Sequence, residues 1–307
     1  MRRAVIDACR IARRGGFLLL ASAGMPSWRT LLVLGRTSNL PTVWSNCLAG
    51  WWLGGEGNLK RLGLLLAGAT LVYLGGMYLN DAFDAEFDAQ FRRERPIPSG
   101  AISRILVWRI GVGLLGAGTV CLAVLGWTTG ILALVLVLCV VVYDAVHKLI
   151  TVSPVLMAAC RFLLYLVAAS TAGEGVTGFA VWCGFALAAY IVGLSYIARV
   201  ESTRGPLHFW PCVLLAAPIV LALFMNTGEY LKPAMLVSII LGLWIARCLR
   251  YTFGGMDRNV GFTVAGLLAG IPWVDLLAVA YCPKPFAVVF IALFLAAVVF
   301  QRYVPAT

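Results

Sequence analysis

Long apolar runs separated by short polar segments form the pattern of this chain. Crossing a hydrocarbon layer of about 30 Å takes about 20 mostly apolar residues. Ten runs approach or reach that length, at 38–55, 62–80, 104–126, 129–147, 153–173, 178–198, 209–226, 232–250, 259–281 and 285–303. The pattern therefore predicts an all-α fold, a polytopic bundle of transmembrane helices.

The composition supports a membrane protein and argues against a soluble one. Of the 307 residues, 62% are hydrophobic and only 12% are charged. A water-soluble globule of this size needs more polar surface than that. The net charge of +11 does not indicate a nucleic-acid partner, because the basic residues lie in separate short loops and form no single patch.

The basic residues predict the orientation of the chain. They occupy every second loop, as is usual for cytoplasmic loops; these loops hold Arg92, Arg93 and Arg95, then His147 and Lys148, then Arg199 and Arg204, then Arg250 and Arg258. We expect both termini on the same side, in an inner or plasma membrane. The site described below is expected to face the cytoplasm.

The N-terminal part, residues 1–36, differs from the rest of the chain. It carries seven arginines against one acid, Asp7. We expect a basic amphipathic segment on the cytoplasmic surface, attracted by anionic membrane lipid. The alternative is a cleaved secretory signal. Residues 37–307 are expected to form one membrane domain.

A segment rich in acidic and basic residues interrupts the apolar pattern at residues 78–100, with the sequence YLNDAFDAEFDAQFRRERPIPSG. On a helix Asn80, Asp84 and Asp88 share one face, with Asp81 three residues before Asp84. Three carboxylates and an amide on one face repel each other unless a cation neutralises them, and such oxygen ligands favour Mg²⁺ held together with substrate phosphates. The alternative is a solvated charged loop between two membrane helices.

This stretch resembles a known family. The pattern NDxxDxxxD, formed by Asn80, Asp81, Asp84 and Asp88, and the following RRERPIPSG are similar to the first aspartate-rich motif of the UbiA superfamily of intramembrane prenyltransferases. The resemblance implies a core of nine helices, so that nine or ten are expected here. It also implies Mg²⁺-dependent transfer of a prenyl or polyprenyl group from its diphosphate to an aromatic or other lipid-soluble acceptor.

The resemblance also assigns roles to basic and aromatic residues. In VVYDAVHK, Tyr143 and Lys148 resemble the tyrosine and lysine of the family, where the lysine meets the diphosphate. Arg92 and Arg95 are expected to bind the same diphosphate, and Asp81, Asp84 and Lys148 to carry the catalysis. Asp144 and His147 match nothing in the family pattern. The alternative for Lys148 is an interfacial lysine with no role in the reaction.

A second aspartate motif of the family, DxxYAxxDxxxD, is degenerate in this chain. Aligned on Tyr196, it places Gly193, Val200 and Arg204 where aspartates belong, and leaves Glu201 one position away. We expect Arg199 and Arg204 to contact the phosphates directly and to replace the charge of a second metal ion. Tyr196 and Glu201 are expected near the substrate. Alternatively, both arginines only anchor the chain at the membrane surface.

Polar residues within the apolar runs are further candidates. Arg36 and Asn46 lie where the family lines its acceptor pocket. Arg161 and Asp275 are expected either to pair between helices or to contact substrate.

Two other functions remain open. A protein with an eroded second motif could bind or move an isoprenoid lipid without transferring it. A small transporter with an aspartate ion site is less consistent with the sequence, because the acids are expected just past a helix end, in a cytoplasmic loop, and transporter sites lie near the midplane.

Overall fold

The computed structural model describes residues 26–203, 208–254 and 258–306, without the side chains of residues 200–203. These ranges contain helices and no strand, which confirms the all-α prediction. The helices are α1 Trp28–Leu34, α2 Leu40–Leu53, α3 Leu59–Phe91, α4 Arg104–Ala123, α5 Trp127–Val146, α6 Ser153–Ala169, α7 Gly178–Thr203, α8 Trp210–Leu215, α9 Ala217–Met225, α10 Leu231–Phe253, α11 Val260–Ala269, α12 Ile271–Ala278 and α13 Lys284–Phe300. Short 3₁₀ turns occupy Thr37–Asn39 and Gly228–Tyr230. Most of the predicted basic segment lies outside the described residues.

Six helical segments are long and apolar enough to cross a membrane: Leu59–Phe91, Arg104–Ala123, Trp127–Val146, Gly178–Arg199, Gly228–Phe253 and Val260–Ala278. Ser153–Ala169, Trp210–Met225 and Lys284–Phe300 are shorter apolar helical segments. The count of nine or ten spanning helices stays a prediction. Pro218 and Pro272 each lie in the first turn of a new helix, where the missing backbone N–H is tolerated. The predicted runs 209–226 and 259–281 are therefore each broken in two.

Helix α3 is longer than the apolar pattern indicates. The predicted run stops at residue 80, whereas α3 continues without a break to Phe91. Alanines at 82, 85 and 89 favour this continuation, because alanine has the highest helix propensity. At 1.5 Å per residue the 33-residue helix is about 50 Å long, which exceeds the hydrocarbon layer. The acidic motif therefore lies on the last turns of a rigid helix and not in a loop.

Close backbone contact fixes α3 against α4. A Cβ atom on Gly75 would lie 2.8 Å from the backbone nitrogen of Leu115 and 2.9 Å from the carbonyl oxygen of Gly111. At a second position of the same contact, a Cβ atom on Gly118 of α4 would lie 2.8 Å from the backbone nitrogen of Val72 on α3. Small residues at such crossings let two membrane helices approach closely.

Helix α2 is the central helix of the bundle. It is buried over most of its length and contacts α3, α6, α7, α12 and α13. Its polar residues consequently face other helices and not lipid, which decides where Asn46 can act.

Candidate functional site

Two arginines meet the first aspartate of the motif. Nη2 of Arg36 lies 3.2 Å from Oδ1 of Asp81 and 3.2 Å from Oδ1 of Asn80. Nη1 of Arg95 lies 3.2 Å from the same Asp81 oxygen. The Asp81 side chain is only 5% exposed, so both ion pairs are largely shielded from solvent. The structure thus joins the segment before α2, the end of α3 and the following turn at one carboxylate.

The backbone of Arg36 is unusual. Its φ of 40° and ψ of 49° place it in the left-handed region, which costs a non-glycine residue about 1–2 kcal/mol. The hydroxyl of Tyr73 on α3 donates to the Arg36 carbonyl over 3.2 Å. The strained conformation is therefore tied to the same helix that carries the motif, and it turns the guanidinium toward Asn80 and Asp81.

The charges of the two arginines respond differently to this environment. Burial acts to lower the pKa of Arg36, but Asp81, together with Tyr73, Tyr143 and Asp84, outweighs it, and the pKa is raised above the ordinary value. Burial and the nearby positive charge of Arg36 lower the pKa of Arg95, and Asp81 offsets part of that effect. Both guanidiniums remain protonated near neutral pH. The site therefore carries two positive charges at a single carboxylate.

A second pair of basic side chains meets Asp84. Nζ of Lys148 lies 2.8 Å from Oδ1, and Nε2 of His147 lies 3.4 Å from Oδ2. The Lys148 ammonium also lies 3.8 Å from the ring centroid of Phe87, a distance that permits a cation–π interaction. The ring of His147 stacks on Tyr143 at 5.1 Å between centroids. The end of α5 and the residues after it therefore close over the acidic face of α3.

Two carboxylates of the site keep an oxygen without a partner. The side-chain amide of Asn80 donates to Oδ1 of Asp144 over 3.1 Å. Oδ2 of Asp144 and Oδ1 of Asp88 are buried and have no hydrogen-bond partner among the described residues. Such orphan oxygens are costly in a protein interior and suggest a ligand or ion that completes them.

The donor set suits Mg²⁺, which prefers oxygen ligands. Asn80, Asp81, Asp84 and Asp88 supply such oxygens, and Asp144 adds one from α5. In the described part of the chain, no three His, Cys, Asp or Glu side chains already form a metal-binding group. The reason is that Asp81 and Asp84 hold basic side chains, so these contacts must loosen before an ion is held.

An apolar cavity begins next to this cluster. About 610 Å³ of empty volume, partly open to the outside, lies between α2, α3, α5 and α6. Tyr143 and Asp144 line the cavity on the side of the aspartate cluster. Tyr73 and Arg161 are its other lining residues with polar groups. The remaining lining residues are Val43, Ala69, Val72, Gly76, Met77, Leu136, Val140, Met157, Cys160 and Leu164. The cavity offers a dry space beside the charged site.

Asn46 does not join the aspartate cluster. It is fully buried in a separate polar network, where Nδ2 donates to Oδ2 of Asp275 over 2.8 Å and Oδ1 accepts from Nη1 of Arg161 over 2.7 Å. Ser45 and Tyr165 also donate to Asp275, over 2.5 and 2.9 Å. The polar residues of the apolar runs are therefore paired between α2, α6 and α12. Of this set, Arg161 lines the cavity.

Four further predicted site residues are Arg92, Tyr196, Glu201 and Arg204. Arg92 follows α3 and its backbone N–H donates to the carbonyl of Asp88 over 2.8 Å. Tyr196 packs edge-on against Trp210, with 4.8 Å between ring centroids. Glu201 has no described side chain, and Arg204 lies outside the described residues.

Arg199 is held by the loop that follows Lys148. Its Nη1 donates to the carbonyls of Ile150 and Thr151 over 2.9 and 2.8 Å, and to Oγ of Ser153 over 3.1 Å. These bonds position the segment between α5 and α6. The expected direct contact of Arg199 with phosphate stays a prediction.

The loss of an aspartate at position 193 has a packing reason. A Cβ atom on Gly193 would lie 2.6 Å from the carbonyl oxygen of Pro211. The start of α8 therefore occupies the space that a side chain at this position of α7 would need.

Asp144 and His147 are the site residues that motif matching passed over. The sequence feature that could have identified them is their spacing from Tyr143 and Lys148 at the end of α5. Residues three and four apart on a helix are neighbours, so Asp144, His147 and Lys148 can face α3 together.

Comparisons with known proteins agree with this geometry. The model of the UbiA prenyltransferase family matches residues 38–206, which include the acidic motif and the Tyr143–Lys148 segment. The digeranylgeranylglyceryl phosphate synthase of Methanoregula boonei is 45% identical over 87 residues, covering 27% of this chain and 29% of that protein. The synthase of the same name from Ignicoccus hospitalis is 35% identical over 102 residues, which is 33% of each chain. The chain thus matches about a third of the length of these relatives.

Solved structures share the fold at low sequence identity. A UbiA homologue from Archaeoglobus fulgidus, bound to GPP and Mg²⁺, gives a TM-score of 0.63 at 16% identity, over 88% of this chain and 98% of that one. The apo structure of a UbiA homologue from Aeropyrum pernix K1 gives 0.62 at 15% identity, over 80% and 98%. With the family match over more than half of the chain, these findings make it an integral, multi-pass membrane protein. The chain belongs to the UbiA prenyltransferase family.

Proposed function

We propose that the protein transfers a prenyl or polyprenyl group from its diphosphate to a lipid-soluble acceptor, with Mg²⁺ as cofactor. One observation carries the proposal: Arg36, Arg95 and Lys148 converge on Asp81 and Asp84 at the end of α3. Diphosphate needs both kinds of group, because bound metal requires carboxylates while the phosphate oxygens accept hydrogen bonds from basic side chains.

Asn80, Asp81, Asp84 and Asp88 would hold the metal, and Asp144 would add an oxygen beside them. When bound, Mg²⁺ neutralises charge that develops on the departing diphosphate. Arg36, Arg95 and Lys148 then turn from Asp81 and Asp84 to the phosphate oxygens. Their present ion pairs keep them positioned and charged before substrate arrives.

In the reaction the bond between the first prenyl carbon and the diphosphate oxygen breaks, and the electron pair leaves with the diphosphate. The allylic carbon then forms a bond with the acceptor nucleophile, which gives up a proton. The apolar cavity beside Asp144 keeps water from the cation during this step. The ring face of Tyr143 at the cavity wall adds electrostatic stabilisation.

The acceptor is an aromatic or other lipid-soluble compound that reaches the site from the bilayer. Some relatives of this chain are named digeranylgeranylglyceryl phosphate synthases. A prenylated glyceryl phosphate is therefore the first acceptor class to test, together with aromatic acceptors. The site faces the cytoplasm in this proposal, because Arg92, Arg93 and Arg95 follow it directly.

The experiment is a transfer assay with protein in nanodiscs. Prenyl diphosphates of several lengths, labelled in the prenyl chain, are supplied with Mg²⁺ and a membrane-lipid extract, and labelled lipid products are separated. We expect product that disappears with a metal chelator and in Asp81→Asn. Tight donor binding without product under every acceptor condition would favour an isoprenoid-binding protein.

A further inference from the structure

The wall of the apolar cavity includes an arginine that is not part of the aspartate cluster. Arg161 lies eight residues into α6 from Ser153, about 12 Å along the helix. It is part of the cavity wall, among side chains that are mostly aliphatic. A cation at this depth of a membrane helix is costly unless it is paired or serves a ligand.

The hydrogen bonds of Arg161 go to uncharged oxygens. Nη1 donates to Oδ1 of Asn46 over 2.7 Å and to the carbonyl of Thr42 over 3.2 Å, and Nη2 donates to Oγ1 of Thr42 over 3.0 Å. Among the described residues no carboxylate forms an ion pair with it. The guanidinium is thus fixed in orientation while its charge has no direct partner.

Asp275 does not fill that role. Its two oxygens accept from Ser45, Tyr165 and Nδ2 of Asn46. Asn46 stands between the charges, with its amide nitrogen toward Asp275 and its amide oxygen toward Arg161. Thr42 and Asn46 therefore hold the guanidinium in place, and Arg161 remains part of the cavity wall.

We infer that Arg161 binds an oxyanion, a phosphate or a carboxylate, on an amphipathic ligand whose chain occupies the cavity. A guanidinium is suited to phosphate and carboxylate because it donates parallel hydrogen bonds to both oxygens. A hydrocarbon tail alone would leave the cation desolvated and unpaired, which is unfavourable. The cavity is accordingly a pocket for the acceptor, which meets the donor at the end lined by Tyr143 and Asp144.

The acceptor role rests on the proposed function, whereas binding of the oxyanion can be measured without any transfer. The probe is an octyl phosphate that carries a diazirine at the end of its chain, added to the full-length protein in phosphatidylcholine nanodiscs. Light-induced labelling is mapped by mass spectrometry. Unlabelled octyl phosphate, octanoate, octanol and octyltrimethylammonium compete for the site.

We expect labels on cavity residues such as Leu136, Val140 and Leu164. Octyl phosphate or octanoate should compete at least about tenfold better than octanol, since a hydrogen bond to a charged group contributes about 1.5–3 kcal/mol. The order of the two anions shows whether phosphate or carboxylate is preferred. Arg161→Gln should remove the preference for anions, and Arg161→Lys should restore part of it.

Two further variants keep the test decisive. Met157→Trp fills the cavity at a wall residue that forms none of the hydrogen bonds of the network, so it should abolish labelling with every probe. Lys148→Gln removes a cation of the diphosphate site and should leave the anion preference of the cavity unchanged. A preference lost in Lys148→Gln but kept in Arg161→Gln would overturn the inference, as would equal competition by octanol.

The transfer assay separates this inference from the proposed function. Absence of prenyl transfer with normal anion labelling would count against the function alone. Normal transfer with no anion preference would count against the role of Arg161 alone.

Discussion

The side-chain amide of Asn80 donates a hydrogen bond of 3.1 Å to Oδ1 of Asp144, and so joins the acidic motif of α3 to a carboxylate of α5. The second oxygen of Asp144 is buried without a partner. This chain lacks the aspartates of a second motif at positions 193, 200 and 204. Asp144 therefore adds a carboxylate to the acidic face of α3 in a chain that lacks those aspartates.

The first prediction concerns Asp144. Asp144→Asn keeps the size of the side chain but removes its charge, so we expect Mg²⁺ to bind less tightly. The Mg²⁺ concentration needed for prenyl transfer should rise about tenfold. The measurement is the Mg²⁺ concentration that gives half-maximal rate. The control is Glu86→Gln, an exposed acid of α3 that pairs with Arg104. Identical Mg²⁺ curves for the two variants would contradict a role for Asp144 at the site.

The second prediction concerns Lys148. Lys148→Met removes the ammonium that contacts Asp84 and lies over Phe87. We expect the KM for prenyl diphosphate to rise about tenfold to hundredfold, as for loss of a charged hydrogen bond to phosphate. Lys60→Met, an exposed lysine at the opposite end of α3, should leave KM unchanged. An unaltered KM in Lys148→Met would mean that this lysine only anchors the helix end.

The third prediction concerns the eroded second motif. Gly193→Ala places a Cβ 2.6 Å from the carbonyl oxygen of Pro211, so it should lower the free energy of unfolding by about 1–3 kcal/mol. Gly113→Ala on α4 is the matched control, because no atom lies within 4 Å of its added Cβ. Denaturant titration in detergent measures both. A Gly193→Ala protein as stable as Gly113→Ala would show that α8 does not exclude a side chain here.

The fourth prediction concerns the buried network. Asn46→Leu removes the hydrogen bond that Arg161 donates to Asn46 and the bonds that Asp275 accepts from it, and we expect a loss of about 3 kcal/mol of stability. Cys47→Ala, the buried neighbour on α2, removes one sulfur atom and should cost about 1 kcal/mol. The same titration compares the two. Equal losses would indicate that Asn46 is only a packing residue.

The sequence predicted those parts of the fold that depend on local pattern. Apolar runs indicated membrane helices, and the spacing of Asn80, Asp84 and Asp88 indicated one helical face, because both follow from helix geometry. The end of α3 was misplaced at residue 80, since the hydropathy of the motif is low although its alanines favour helix. The acids of the motif were therefore predicted to lie just past a helix end, in a cytoplasmic loop, whereas they form the last turns of α3.

Long-range partners could not be predicted in the same way. Asp275 was recognised as costly to bury alone, but its partners Ser45, Asn46 and Tyr165 are more than 100 residues away in the chain. Likewise the contact of Asp84 with His147 depends on the packing of α3 against α5. Such pairs are fixed by tertiary structure and leave no periodic signal in the sequence.

In the proposed function, the acidic end of α3 cleaves prenyl diphosphate with Mg²⁺. The most direct test of this proposal measures bound prenyl diphosphate and released pyrophosphate in the same nanodisc samples, for the natural chain and for Asp84→Asn, with membrane-lipid extract present. We predict metal-dependent release in the natural chain and none in Asp84→Asn. Release that is independent of metal, or undiminished in Asp84→Asn, would contradict the account.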